Sequence, residues 1–168
     1  MRRFLMVLVL VQSLWTVTAH ASDDLSQIEL RVRCVEPGPC RYAGRMVEVE
    51  LELFNAGKKA VSLPVEYIGH RGPAMTLVDN RSGKQTGVRM SPPAPRLLAH
   101  SRTLAPGESV RFREQISDVV VDRFASLPVD ITVNFTYRLD PERTTAGAQQ
   151  VHAYLHVTDR REDATLGR

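Results

Sequence analysis

Residues 47–53 read Val47-Glu48-Val49-Glu50-Leu51-Glu52-Leu53, with an aliphatic side chain and a glutamate in strict alternation. Successive side chains of a β-strand point to opposite faces of the sheet, so the aliphatic residues would share one face and the glutamates the other. On an α-helix the same aliphatic residues would scatter around the axis. The stretch therefore predicts a β-strand with one buried face and one solvated face.

The same two-residue period recurs along most of the chain, separated by turn sequences. Further alternating stretches lie at residues 28–34, 110–116, 131–138 and 151–157. Residues typical of β-turns occur at Asn55-Ala56-Gly57-Lys58, Asn80-Arg81-Ser82-Gly83 and Ala105-Pro106-Gly107-Glu108. We expect the first of these turns to close a hairpin, with Val61 and Leu63 beginning the returning strand. Residues 119–124 fit either a short strand or a single helical turn.

The pattern as a whole predicts an all-β protein. Seven to nine short strands separated by turns, with no helix longer than two turns, are typical of an antiparallel immunoglobulin-like β-sandwich. A closed barrel is the alternative. The chain has 168 residues, 43% of them hydrophobic, which is enough for one domain and short for two.

The N-terminus carries the pattern of a cleavable signal peptide, which we place at residues 1–21. Arg2 and Arg3 precede an unbroken apolar run at residues 4–11, and Ala19-His20-Ala21 offers small residues at the positions a signal peptidase reads. Polar residues interrupt the apolar region before it reaches the roughly 20 residues of a transmembrane helix. We therefore expect export, to the periplasm or the medium, and no membrane attachment after cleavage.

Removing that segment leaves a sandwich domain at residues 22–158 and a charged, flexible tail at residues 159–168. The remaining 147 residues hold 20 basic and 19 acidic side chains, because Arg2 and Arg3 leave with the signal peptide. A nucleic-acid-binding protein needs clustered excess positive charge, so no nucleic-acid partner is expected. The oligomeric state has no signature in the sequence.

Cys34 and Cys40 are the only cysteines, and export would place them where disulfides persist. The chain between them must reverse, since disulfide-bonded cysteines have Cα atoms about 4.4–6.8 Å apart. Pro37-Gly38 suits the centre of a type II turn, because proline fixes φ and glycine accepts a positive φ. We therefore predict a structural disulfide, worth about 2–3 kcal/mol in the chain-entropy model.

Catalytic signatures are absent from the sequence. It contains no Gly-x-Ser-x-Gly elbow, no His-Glu-x-x-His helix and no phosphate-binding glycine loop. We expect a non-enzymatic protein with no catalytic residues, no cofactor and no metal. His152 and His156 would sit roughly 13 Å apart on one strand face, too far to share an ion. A metal site at His70 and His100 remains the alternative.

Two segments break the strand pattern and are predicted as loops, the part of a rigid sandwich that usually carries function. Residues 66–73 and 91–100 are rich in Tyr, Arg, His and Pro. Their candidate partner-binding residues are Tyr67, His70, Arg71, Arg96 and His100. Ordinary solvated loops are the alternative interpretation. A second candidate surface is the strand face with His152, Tyr154 and His156, which equally fits the solvated side of an outer strand.

Three segments resemble known bacterial sandwich domains. Residues 51–61, with the Asn55-Ala56-Gly57 turn, resemble a strand–turn–strand unit of immunoglobulin-like sandwiches. Tyr67-Ile68-Gly69 with Arg71 and Pro73, and the segment Leu104-Ala105-Pro106-Gly107-Glu108-Ser109-Val110, resemble the sandwich domain that precedes the catalytic domain of deuterolysin-like metalloendopeptidases. The Asn-x-Gly and Pro-Gly-Glu turns also occur in intracellular-proteinase-inhibitor-like domains.

The resemblance covers residues 46–140 and implies a fold more than an activity. Peptidase activity does not carry over, because the family's zinc-binding His-Glu-x-x-His has no counterpart in this sequence. What remains is an expectation of an exported, non-enzymatic binding or accessory module, with a protein or peptide as partner and a peptidase as one candidate. A periplasmic metal-handling protein and a hydrolase with an unrecognised site are the alternatives.

Overall fold

The computed structural model describes residues 25–140 and 148–159. Within them the strands are β1 (Ile28–Cys34), β2 (Val47–Asn55), β3 (Val61–Leu63), β4 (Ala74–Asp79), β5 (Gln85–Val88), β6 (Arg102–Leu104), β7 (Ser109–Ile116), β8 (Asp130–Arg138) and β9 (Gln150–Thr158). Two short helices, α1 (Val65–Arg71) and α2 (Asp118–Phe124), join them, with 3₁₀ turns at Leu25–Gln27 and Pro95–Ala99. The predicted signal peptide, and the predicted tail beyond Asp159, lie outside the described residues.

The strands form two main antiparallel sheets, in the orders β1-β2-β7 and β5-β4-β8-β9, and a short ribbon of β3 and β6. Inward side chains of all three contribute to one hydrophobic core. This arrangement confirms the predicted all-β, antiparallel, sandwich-like fold. None of the described helices has the length and apolar character needed to cross a bilayer.

Strand β2 is the central strand of its sheet, and its faces are divided as predicted. Val49, Leu51 and Leu53 are fully buried and Val47 is nearly so, whereas Glu48, Glu50 and Glu52 lie on the solvent side. Burying each aliphatic side chain of this size contributes roughly 1.5–3 kcal/mol. The alternation therefore fixes which face of β2 joins the core.

The outer face of the β1-β2-β7 sheet is covered by glutamate and arginine. Arg33 contacts Glu50 at 2.5 Å, and Arg111 contacts Glu52 at 3.0 Å. A hydrogen bond from the Ser109 hydroxyl, followed by one from Arg111, lowers the pKa of Glu52. Such exposed pairs typically contribute about 0–1 kcal/mol each, so the ion pairs on this face add little to the stability of the fold.

The expected hairpin after β2 does not form, and that prediction is wrong. β2 pairs with β1 and β7, whereas β3 pairs with β6 in the separate ribbon. The reason lies in Asn55, which is fully buried and donates through Nδ2 to the carbonyls of Lys59 and Leu104, both at 2.9 Å. Its Oδ1 accepts the Gly57 N–H at 2.9 Å. The segment is thus a corner between sheets.

The third segment quoted for the resemblance, around Pro106, lies against that corner. The backbone N–H of Asn55 donates to Glu108, and the N–H of Gly107 donates to the Asn55 carbonyl, both at 2.9 Å. Gly107 has a φ of 80°, a left-handed conformation that favours glycine. Two turns that are about 50 residues apart in sequence therefore form one corner of the sandwich.

The Cys34–Cys40 disulfide is present, with Cα atoms 5.6 Å apart. Gly38 has a φ of 99°, in the positive region expected for the turn after Pro37. The chain leaving the disulfide is anchored by Tyr42, whose hydroxyl donates to Asp122 of α2 at 2.6 Å. Burial, and then the bond to Asp122, raise the pKa of Tyr42 to about 12. The tyrosine therefore remains a hydrogen-bond donor at neutral pH.

The described segments that were predicted as loops or left undecided contain short helices. Residues 118–124 form α2, which resolves the choice between strand and helical turn in favour of the helix. Residues 65–71 form α1, so the prediction of a loop over residues 66–73 is wrong for most of its length. Residues 95–99 form a 3₁₀ turn within the second predicted loop. Isolated helices this short are marginal in water, so their formation depends on packing against the sandwich.

Candidate functional site

A cavity of about 290 Å³ lies between α1 and the ends of β4 and β8. We call the six lining residues on which the argument rests the cradle: Tyr67, Arg71, Gly72, Met90, Tyr137 and Arg138. Three separate parts of the chain supply them, namely α1 with the glycine that ends it, the segment after β5, and the last two residues of β8. The cradle is therefore a product of tertiary structure.

Helix α1 directs two of these side chains into the cavity. Tyr67 and Arg71 are four residues apart and share one face of the helix, while Ile68 is buried in the core. The helix ends at Gly72, whose φ is 67° and whose N–H donates to the Ile68 carbonyl at 3.1 Å. A residue with a Cβ would be strained in this conformation. The turn at Gly72 then leads the chain into β4.

Close packing of α1 on the sheet depends on Gly69. A Cβ at this position would lie 2.9 Å from Cε1 of Phe112, and the Phe112 ring is itself packed against Tyr137 with centroids 5.8 Å apart. The missing side chain lets the helix approach the sheet. The position of Tyr67 and Arg71 therefore depends on a glycine that does not line the cavity.

We expect Gly69→Ala to destabilise the protein by about 1 kcal/mol, because an overpacking cost of about 1–3 kcal/mol exceeds the helix-propensity gain of about 1 kcal/mol. Urea unfolding followed by circular dichroism measures the change. Gly87→Ala is the matched control, since a Cβ at Gly87 meets no atom within 4 Å. Equal stability of the two variants would contradict this account of the packing.

The end of β8 supplies a buried hydroxyl with no partner. Tyr137 is 2% exposed, and its hydroxyl has no hydrogen-bond partner among the described residues. Burial, and then the nearby carboxylate of Glu114, raise the pKa of Tyr137 above its ordinary value. The phenol therefore stays protonated and able to donate. Leaving such a group unpaired costs about 1–3 kcal/mol, and other atoms of the same residue line the cavity.

The two arginines of the cradle have donor capacity to spare. Nε of Arg138 is buried and has no partner among the described residues. Arg71 donates through Nη1 to the Ser91 carbonyl, one of the five N–H groups of its guanidinium. Over residues 25–140 and 148–159, no ion pair joins either guanidinium to a carboxylate. The cradle is thus a cluster of donors with a positive charge.

One carboxyl group borders the cradle from behind. Glu114 faces inward from β7, and its Oε1 lies 3.3 Å from the position that a Cβ on Gly72 would take. Burial raises the pKa of Glu114, because the half-buried carboxylate loses hydration. The local balance is therefore two guanidinium groups against one carboxyl.

The five residues predicted from the sequence as partner-binding lie in three places. Tyr67 and Arg71 lie in the cradle. The Nδ1 of His100 is 2.5 Å from Oε2 of Glu66, on the solvent-exposed side of α1. His70 is exposed on α1, and Arg96 is exposed on the 3₁₀ turn. In the described part of the chain, no three His, Cys, Asp or Glu side chains converge on one point.

The outer face of β9 carries the second predicted surface. Tyr154 is 66% exposed, and the two histidines beside it are hydrogen-bonded across the sheet. His152 lies 2.9 Å from Oγ1 of Thr136, and His156 lies 2.9 Å from Oδ1 of Asp130. Both histidines therefore have hydrogen-bond partners within the sheet.

Comparison with known proteins gives neither a family nor a function. No protein-family model and no curated protein sequence matches this chain. Among solved structures, the sporulation control protein Spo0M of Bacillus subtilis is similar at 13% identity and a TM-score of 0.42, covering 79% of this chain and 49% of that one. A β-glucosidase from Listeria innocua in complex with glucose has 10% identity and a TM-score of 0.32, covering 78% and 16%. This chain thus spans about half of the first protein and a sixth of the second.

Proposed function

We propose that this chain is an exported, non-enzymatic β-sandwich module that binds another protein or a peptide through the cradle. The observation that supports this most is the pair of arginines, Arg71 and Arg138, that line the cavity beside α1 and form no ion pair with a carboxylate of the described residues. Concave sites with a few convergent polar groups and apolar walls are the usual form of ligand sites. Ile68 and Met90 supply apolar wall here, alongside Tyr67.

Binding without catalysis fits the chemistry of the lining. No Ser, Cys, His, Asp or Glu is among the described residues that line the cavity, and its one threonine, Thr136, has its hydroxyl 2.9 Å from Nδ1 of His152. A hydrolase with an unrecognised site would also need a third group to orient the imidazole, and Thr136 is the one described residue hydrogen-bonded to His152 through its side chain. The resemblance to sandwich domains that accompany or inhibit peptidases makes an exported peptidase the first partner to test.

Export is supported by two independent features. Residues 1–21 have the composition of a signal peptide, and Cys34 and Cys40 form a disulfide, which persists in oxidising compartments. The choice between periplasm and medium follows from fractionating cells that express the full chain. Recovery of uncleaved protein in the cytoplasm would contradict export.

Site-specific photo-crosslinking tests the binding function. We expect a crosslinking amino acid at Met90, which is 42% exposed at the rim of the cradle, to give a defined adduct with one protein or peptide. The same probe at Tyr154 tests the outer face of β9. The probe at Leu127, which is 81% exposed near the opposite end of β8, reports non-specific capture.

The supporting result is an adduct from Met90 that is lost when Arg71→Gln is added. Identical adduct patterns from Met90 and Leu127 would overturn binding through the cradle. Adducts confined to Tyr154 would move the function to the β9 face.

A metal-handling function has weaker support. Its one favourable observation is the contact of His100 with Glu66, next to His70 on the same helix. Elemental analysis of protein purified without chelators decides it, because stoichiometric metal lost on His100→Ala is required.

A further inference from the structure

From the chemistry of the cradle we infer that its ligand presents a carboxylate, and specifically the free C-terminal carboxylate of a peptide chain. This deepens the proposed binding function and rests on it. The juxtaposition that carries the inference is Arg71 and Arg138, from separate parts of the chain, lining one cavity of about 290 Å³ beside Tyr67.

The unpartnered groups of the cradle are all able to donate. Arg71 gives one N–H to the Ser91 carbonyl, and the other N–H groups of its guanidinium, like those of Arg138, can only donate. A ligand that satisfies them must bring acceptors and negative charge. Guanidinium groups bind carboxylates through paired, charge-assisted hydrogen bonds, which are about twice as strong as neutral ones.

The size and walls of the cavity favour a carboxylate attached to a short apolar body. About 290 Å³ corresponds to about ten water molecules, near the lower limit of small-molecule sites. That space suits one terminal residue and not a whole folded surface. Ile68, Met90 and the Tyr67 ring would contact the side chain of that residue, which a bare phosphate or sulfate ion lacks.

The exposed rim lets the remainder of the peptide leave the cavity. Met90 is 42% exposed, and Gln150 at the start of β9 is also solvent-exposed. Glu114 limits the affinity, since its Oε1 lies 3.3 Å from the position of a Cβ on Gly72, a residue that lines the cavity. We expect Glu114→Gln to strengthen carboxylate binding by a few-fold, because it removes a like charge.

The experiment compares two peptide pools on the folded, disulfide-bonded protein. One is a pool of randomised tetrapeptides with free C-terminal carboxylates, and the other is the same pool with C-terminal amides. Titration is followed by the backbone NMR signals of ¹⁵N-labelled protein. We expect the acid pool to shift Gly72 and Arg138 and to bind at least tenfold more tightly than the amide pool.

Variants localise the effect. Arg71→Gln and Arg138→Gln should each weaken binding of the acid pool at least tenfold. Arg102→Gln is the matched control, because Arg102 is exposed on β6 and does not line the cavity. It should leave binding unchanged. The comparison of the acid pool with the amide pool uses the unsubstituted protein, so it tests the inference even if one of the variants fails to fold.

Several results would overturn the inference. These are equal binding of acid and amide, no binding of the acid pool at millimolar concentration, or full binding by both arginine variants. Acetate or inorganic phosphate binding as tightly as the acid pool would reassign the cradle to a small anion. A crosslinked adduct from Met90, combined with equal binding of the acid and amide pools, would overturn the carboxylate inference and leave the proposed binding function standing. Selective binding of the acid pool without any crosslinked protein or peptide adduct would support the carboxylate inference and contradict the proposed function.

Discussion

Replacing Asp79 with alanine is expected to lower the melting temperature by about 10 °C or more, through the loss of several hydrogen bonds to a buried carboxylate. Asp79 is 1% exposed, and its carboxylate accepts the backbone N–H groups of Arg81 and Ser82 at 2.9 Å and of Ser126 at 2.8 Å. The side chain thus ties the β4–β5 hairpin to the loop before β8. Alanine would leave three N–H groups without their acceptor.

The same carboxylate gives a prediction for acid pH. The Ser126 N–H first, and then the Ser82 N–H, hold the pKa of Asp79 well below its usual range. A carboxyl whose pKa is lower in the folded state stabilises the fold above the unfolded pKa of about 3.9. That stabilisation is lost as the pH falls from there toward the folded-state pKa. The stability difference between the unsubstituted protein and Asp79→Asn should therefore narrow below about pH 4.

Thermal and urea unfolding between pH 3 and pH 7 measure both effects. Glu48→Gln provides the control, since Glu48 is an exposed carboxylate on the outer face of β2. We expect it to change the melting temperature little at any of these pH values. An Asp79→Asn variant as stable as Glu48→Gln at pH 7, or a difference that widens in acid, would contradict the role assigned to Asp79.

Asn55→Ala is expected to cost about 3 kcal/mol of unfolding free energy, because it leaves buried groups unpaired at the corner between β2 and β3. The carbonyls of Lys59 and Leu104 lose the Nδ2 donor, and the Gly57 N–H loses the Oδ1 acceptor. Asn55→Asp should be at least as damaging, since it places a carboxylate oxygen against the two carbonyls. Asn55→Ser and Asn55→Gly would not restore the three side-chain hydrogen bonds.

Asn80→Ala is the matched control for this prediction. Asn80 also makes side-chain hydrogen bonds, to Asp130 and Thr132, but it is solvent-exposed, so water replaces what is lost. We expect a cost under about 1 kcal/mol there. Urea unfolding monitored by circular dichroism compares the two variants. Equal costs at positions 55 and 80 would show that the corner at Asn55 does not depend on its buried side chain.

Position 55 shows which features of the fold the sequence predicts and which it does not. The sequence predicts a turn at Asn55, because asparagine and glycine have local backbone preferences. Nothing local indicated that the Asn55 turn leads into a different sheet. A two-residue period states which face of a strand is buried, and it does not state which strand lies beside it.

The candidate site likewise has one part that the sequence predicts and one part that it does not. The absence of strand periodicity in their segment marks Tyr67 and Arg71 as candidates, although the segment is a helix and not a loop. Seven residues carry too weak a helical signal to predict alone, and α1 forms because Ile68 enters the core and Gly69 packs on Phe112. Tyr137 and Arg138 looked like ordinary inward and outward residues of a strand.

The sequence by itself determined the all-β class, the buried face of each long strand and the Cys34–Cys40 loop, because these depend on alternation and on chain reversal over a few residues. Tertiary structure alone decided the strand partners, the formation of α1 and the cradle. The cradle joins α1 to the end of β8, about 70 residues further along the chain. Whether a buried donor such as the Tyr137 hydroxyl has a partner depends on which distant groups pack against it, and no local pattern records that.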